Sequence, residues 1–142
     1  MNRIAVLAAL GLLALGTEAV AARPSVKVEM KKVVEPASNT VFNIGGQVDP
    51  ANGADAKATP AEWSSAATAA QKLAGVAAGL SEKGRAKAGK DWPVFVKEMA
   101  ELSAKAAKAA AAHDGAGLSK AANDLSDNCS ACHAKYKPQT GD

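Results

Sequence analysis

An all-α fold, an up-down-up-down bundle of four helices, is what this sequence predicts, and three observations carry it. Apolar residues recur at spacings of three and four through four separate segments, the signature of helices with one buried face. Helix-start chemistry, Thr-Pro-x-Glu at 59–62 and Asp-Trp-Pro at 91–93, precedes two of them. No segment alternates with the period of two of a half-buried strand, and no glycine-rich nucleotide-binding pattern occurs.

Residues 1–21 read as a signal peptide. Arg3 precedes an uncharged apolar run from Ile4 to Leu15, and Ala19 and Ala21 fit a small-residue cleavage pattern, with cleavage after Ala21 or Ala22. The run is too short to span a bilayer. The expected product, 22–142, is one domain delivered outside the cytoplasm.

The first segment runs from about Val26 to Ile44, with Met30, Val33, Val34, Ala37, Val41 and Ile44 on one face. Pro36 inside it predicts a kink or a late start, and Gly45-Gly46 a stop. Residues 47–58 read as loop. The second segment opens with Thr59 as N-cap, Pro60 at the first helical position and Glu62 completing a capping box. Its stripe is Trp63, Ala66, Ala67, Ala70, Leu73, Ala74, Ala77 and Leu80. Residues 81–90, charged and containing Gly84 and Gly89, read as loop. The third segment starts at Asp91 as N-cap and buries Phe95, Met99, Leu102, Ala106, Ala109 and Ala110, ending at His113-Asp114-Gly115. The fourth carries Leu118, Ala122, Leu125, Cys129, Cys132, His133 and Tyr136 on one face and ends at Pro138. Short connections between helices favour antiparallel neighbours.

Composition narrows the function. The net charge of +3 is too mild and scattered for a nucleic-acid binder. Two cysteines do not make a disulfide framework. With 35 alanines and only five aromatic residues (Phe42, Trp63, Trp92, Phe95 and Tyr136), either the helices approach closely through alanine or something other than protein fills part of the middle.

Cys129-Ser130-Ala131-Cys132-His133 is C-x-x-C-H, the pattern of c-type haem attachment. Two thiols at i and i+3 lie on one side of a helix, where each can form a thioether with one of two neighbouring vinyl groups. The histidine that follows supplies an axial ligand. A dithiol redox site would want a βαβ setting, and a zinc site a fourth ligand. The remaining histidine, His113, lies a helix length of roughly 27 Å away.

A C-x-x-C-H on the last of four helices resembles the class II c-type cytochromes, the cytochrome c prime family. The tail from Cys132 to Pro138 is similar to the C-H-x-x-Y/F ending of that family. The stretch Met30 to Ser38, followed by Thr59-Pro60-Ala61-Glu62-Trp63, resembles its low-spin bacterial members. Pro36 and the 47–58 loop depart from the plain pattern. The resemblance implies a periplasmic protein with one covalently attached haem c, and in many members a homodimer.

His133 is then the axial iron ligand, with Cys129 and Cys132 the thioether positions. The bundle topology puts Met30 and Met99 within range of the opposite axial position. The resemblance places the sixth ligand of low-spin members on the first helix, which points to Met30. Met/His ligation suits a one-electron carrier. An open site would suit binding of a small gas such as NO or CO. Trp92 and Phe95 are candidates for the haem wall, Trp63 for packing at the far end, and Tyr136 for closing the last turn. No catalytic residue is read, and the expected role is that of a carrier rather than an enzyme.

Charge is expected to be polarised. Residues 23–35 and 81–91 each carry +2 and 133–142 carry +1, while 45–62 carry −2. Lys83, Arg85 and Lys87 would steer the haem end toward redox partner proteins with an acidic docking surface.

Overall fold

A computed structural model describes residues 23–137, and within them the chain is all-helical. Five α-helices pack together: α1 (Val26–Glu29), α2 (Glu35–Gln47), α3 (Pro60–Leu80), α4 (Trp92–Ala111) and α5 (Gly115–Tyr136). The leader and cleavage site expected at 1–22, and Pro138, lie outside the described residues.

Between α1 and α2 sits a single π-helical turn, Met30–Val34, so the chain winds without a break from Val26 to Gln47. Glu35 N–H reaches back five residues to the Met30 carbonyl. The widened turn ends just before Pro36, whose missing N–H and bulky ring disfavour a tight α-turn there. Pro36 therefore neither delays the helix nor ends it.

The expected stop at Gly45-Gly46 is not made, because α2 runs on to Gln47. Gly45 instead permits close approach: a Cβ there would lie 2.7 Å from Ala122 Cβ on α5. In the 47–58 connection, Pro50–Asp55 forms a 3-10 turn capped by Asp49, whose carboxylate accepts from Ala51 N–H at 2.8 Å.

The capping box of α3 forms as expected. Thr59 Oγ1 accepts from Glu62 N–H at 3.3 Å, and Glu62 Oε2 accepts from Thr59 N–H at 2.7 Å. At Asp91 the expected cap bond is absent, because its carboxylate is drawn instead to Lys135 on α5. His113, with φ 54°, turns the chain out of α4, and Asp114 caps α5 by accepting from Gly117 N–H at 2.9 Å.

α2 packs on α3 and α5, α3 on α4, and α4 on α5. Val41, Leu73, Leu80, Leu118 and Leu125 are the largest apolar side chains fully enclosed, and Ala66, Ala70, Ala77, Ala106 and Ala110 are wholly buried between them. Alanine lets helix axes come close, so contact density replaces the missing aromatic bulk. No helix among the described residues is long and apolar enough to cross a membrane.

Candidate functional site

Three stretches of chain distant in sequence meet at one end of the molecule. Arg23 pairs with Glu82 at 3.2 Å, Arg85 pairs with Glu29, and Lys135 pairs with Asp91. All three bridges tie down the segment between α3 and α4, the first two to residues 23–29 and the third to the end of α5. Trp92 Nε1 donates to the Leu80 carbonyl at 3.0 Å in a buried setting, which fixes the start of α4 against the end of α3.

Cys129 and Cys132 are half-buried against the core. His133 lies beside them on the exposed edge of α5. Burial pushes both thiols up, with Cys132 adding to the effect at Cys129. His133 moves the other way, lowered first by desolvation and then by Lys137 nearby. At neutral pH the three groups are therefore neutral thiols and a neutral imidazole, the form of histidine that binds a metal. Among the described residues, no group of three His, Cys, Asp or Glu side chains converges to hold a bare metal ion.

The motif is fastened on both sides. One residue before it, buried Asn128 donates to Glu98 on α4 at 2.8 Å. After it come the Lys135–Asp91 pair and Tyr136, whose ring meets Trp92 edge-on at 5.1 Å and Phe95 at 6.3 Å. Trp92 and Phe95 thus stand beside the turn that follows His133. Tyr136 Oη is buried without a hydrogen-bond partner among the described residues.

Met30 is half-buried at the edge of the core, in the π-turn next to Glu29. Met99 is buried inside α4. His113 belongs to the other end, where it stacks on Trp63 with ring centroids 5.2 Å apart and planes 15° from parallel.

One expectation about charge needs correcting. Arg85 does not stand free at the surface: its side chain is only 11% exposed and bound to Glu29. Lys83, Lys87 and Lys90 are exposed. The Glu29–Arg85 and Asn128–Glu98 links escaped sequence reading, although a trace of each was present. Glu29 lies four residues before Val33, and Asn128 three after Leu125, so each is a polar residue on an apolar stripe.

No protein-family model, no curated protein and no solved structure matches this chain.

Proposed function

We propose that this protein is an exported, periplasmic c-type cytochrome that carries single electrons, with one haem c bound covalently through Cys129 and Cys132. The carrying observation is the C-x-x-C-H sequence on α5, with both thiols half-buried at the aromatic-lined end. In the full reading, the run from Val26 to Gln47 counts as one helix, and with α3, α4 and α5 it makes an up-down-up-down bundle.

The donor set fits the group. Neutral thiols at i and i+3 suit thioether formation, and a neutral imidazole suits axial ligation. Two buried side chains at this end, Arg85 and Tyr136, retain polar atoms without partners. When bound, haem supplies a reversible one-electron couple at its iron. The chain would do the rest: His133 and Met30 would hold the iron, while Trp92 and Phe95 would keep water from that end. The π-turn that begins at Met30 supports its assignment, since such turns recur at functional sites. Exposed Lys83, Lys87 and Lys90 support docking to an acidic partner.

The test is a visible spectrum and a haem-stained denaturing gel of protein made in a host that matures c-type cytochromes. A stained band lost in the Cys129→Ala, Cys132→Ala variant, with a low-spin spectrum in the wild type, is the expected result. A high-spin wild-type spectrum would replace the carrier by a gas-binding protein with an open distal site. Absence of any Soret band would overturn haem binding altogether.

A further inference from the structure

We propose that Arg85 receives a haem propionate carboxylate and that Glu29, its ion-pair partner, acts as the opposing charge that tunes the reduction potential. The assignment rests on the haem reading above and adds to it a specific anchoring pair.

It starts from incomplete satisfaction. Glu29 and Arg85 side chains are each only 11% exposed. A charge so enclosed is costly unless its hydrogen-bonding groups are all engaged. Arg85 Nη2 donates to Glu29 Oε2. Arg85 Nε and Nη1 are also buried, and among the described residues neither has an acceptor. A lysine could serve Glu29 with a single contact. The guanidinium brings five N–H groups in a fixed plane, a shape matched to carboxylates.

The acceptor is not supplied by the neighbouring acids. Glu82 is engaged by Arg23 and Asp91 by Lys135, which leaves Glu29 with Arg85 itself. Arg85 also lies at the end where the haem is proposed to sit. Glu29 adjoins Met30 in sequence, and Arg85 Nη1 passes 3.4 Å from where a Gly79 Cβ would stand. The next residue, Leu80, accepts from Trp92, and the Trp92 ring carries Tyr136, three residues beyond His133. Arg85 therefore lies at the end of the molecule that holds both proposed axial ligands. Arg23 crowds the same glycine, so a second guanidinium flanks the seat.

The sign of the effect follows from electrostatics. Reduction removes one positive charge from the iron centre, so a nearby cation favours the reduced form and a nearby anion the oxidised form. Arg85→Gln should lower the midpoint potential, and Glu29→Gln should raise it. Arg85→Lys, which keeps the charge but not the planar fork, should fall between wild type and Arg85→Gln. The double variant Glu29→Gln, Arg85→Gln leaves no buried charge unpaired and guards against misfolding; its potential should lie between those of the two single variants.

Spectroelectrochemical titration of the holoprotein, with haem stain to confirm attachment, reads all four. Attached haem with potentials unmoved, or moved in the same direction by Arg85→Gln and Glu29→Gln, would overturn this assignment alone. A wild-type potential that shifts on adding inorganic phosphate, with the shift abolished in Arg85→Gln, would give the seat to a free anion and overturn it too. Wild-type protein without covalent haem would overturn the proposed function and this anchor together.

Discussion

Asn128 Nδ2 donates to Glu98 Oε2 at 2.8 Å, joining α5 to α4 one residue before the first cysteine of the motif. Asn128 is buried, so its amide has little access to water as a substitute partner. The bond fixes the rotation of α5 about its axis where that rotation decides which way Cys129 and Cys132 face.

Asn128→Ala should therefore cost about 1–3 kcal/mol, the range for stranding one partner of a buried hydrogen bond. Urea titration of wild type and variant measures it. A loss below about 0.5 kcal/mol would show that the bond is not retained in solution.

Met30 and Met99 should separate cleanly. On the proposed ligation, Met30→Ala should turn the spectrum high-spin and lower the potential. Met99 is buried in the core, so Met99→Ala should cost about 2–5 kcal/mol and leave the spectrum low-spin. Absorption spectra and thermal melts of both variants decide this; an unchanged spectrum for Met30→Ala removes Met30 as ligand.

Gly45 and Gly46 are adjacent in α2 yet should respond with opposite sign. At Gly46 a Cβ meets nothing within 4 Å, so Gly46→Ala should stabilise by about 0.5–1 kcal/mol through helix propensity. At Gly45 the Cβ would press on Ala122, and the overpacking cost of about 1–3 kcal/mol should win. Adding Ala122→Gly to Gly45→Ala should recover part of the loss in a denaturant titration.

Acid should loosen the end opposite the motif through Glu62 and Asp49. Thr59 lowers the Glu62 carboxyl, first through its backbone N–H and then through its hydroxyl, with Gln47 adding less. Ser119 lowers Asp49, with help from Ala51 N–H. A carboxyl lowered by folding stabilises the native state above its unfolded value and loses that contribution as pH falls through the folded one. The melting temperature should drop as pH falls below the ordinary glutamate value of 4.5. In a Thr59→Ala, Ser119→Ala variant the drop should be shallower. Equal slopes would show that neither hydroxyl contact is coupled to folding.

Partner docking should depend on salt. Lys83→Glu with Lys87→Glu should slow electron transfer to an acidic partner at low ionic strength, because both side chains are exposed beside the motif's end. Lys57→Glu with Lys120→Glu, which lie elsewhere, should do little. Stopped-flow rates indifferent to salt, or slowed alike by both pairs, would rule out steering by these lysines.

Local chemistry was readable in the sequence wherever local contacts decide it. The Thr59–Glu62 capping box, the alanine stripes and the placement of the motif on the last helix all follow from spacing within a few turns. Readings failed where a distant residue decides. Gly45 resembles a helix stop until Ala122 stands against it. Asp91 resembles a cap until Lys135, 44 residues away, takes its carboxylate. Arg85 counts as a surface charge until Glu29 encloses it. Pro36 allowed a kink or a late start, and a π-turn met its steric demand by a third route.

The two tryptophans turn the length of α3 into an optical gauge. Trp63 stands near its first residue, stacked on His113, while Trp92 hangs from the carbonyl of its last, Leu80. Their attachment points, 17 residues apart, are separated by roughly 26 Å of helix. Each indole thus reports on a different end of the protein. Fluorescence of Trp63→Phe and Trp92→Phe variants can then follow whether the two ends melt together or one releases first.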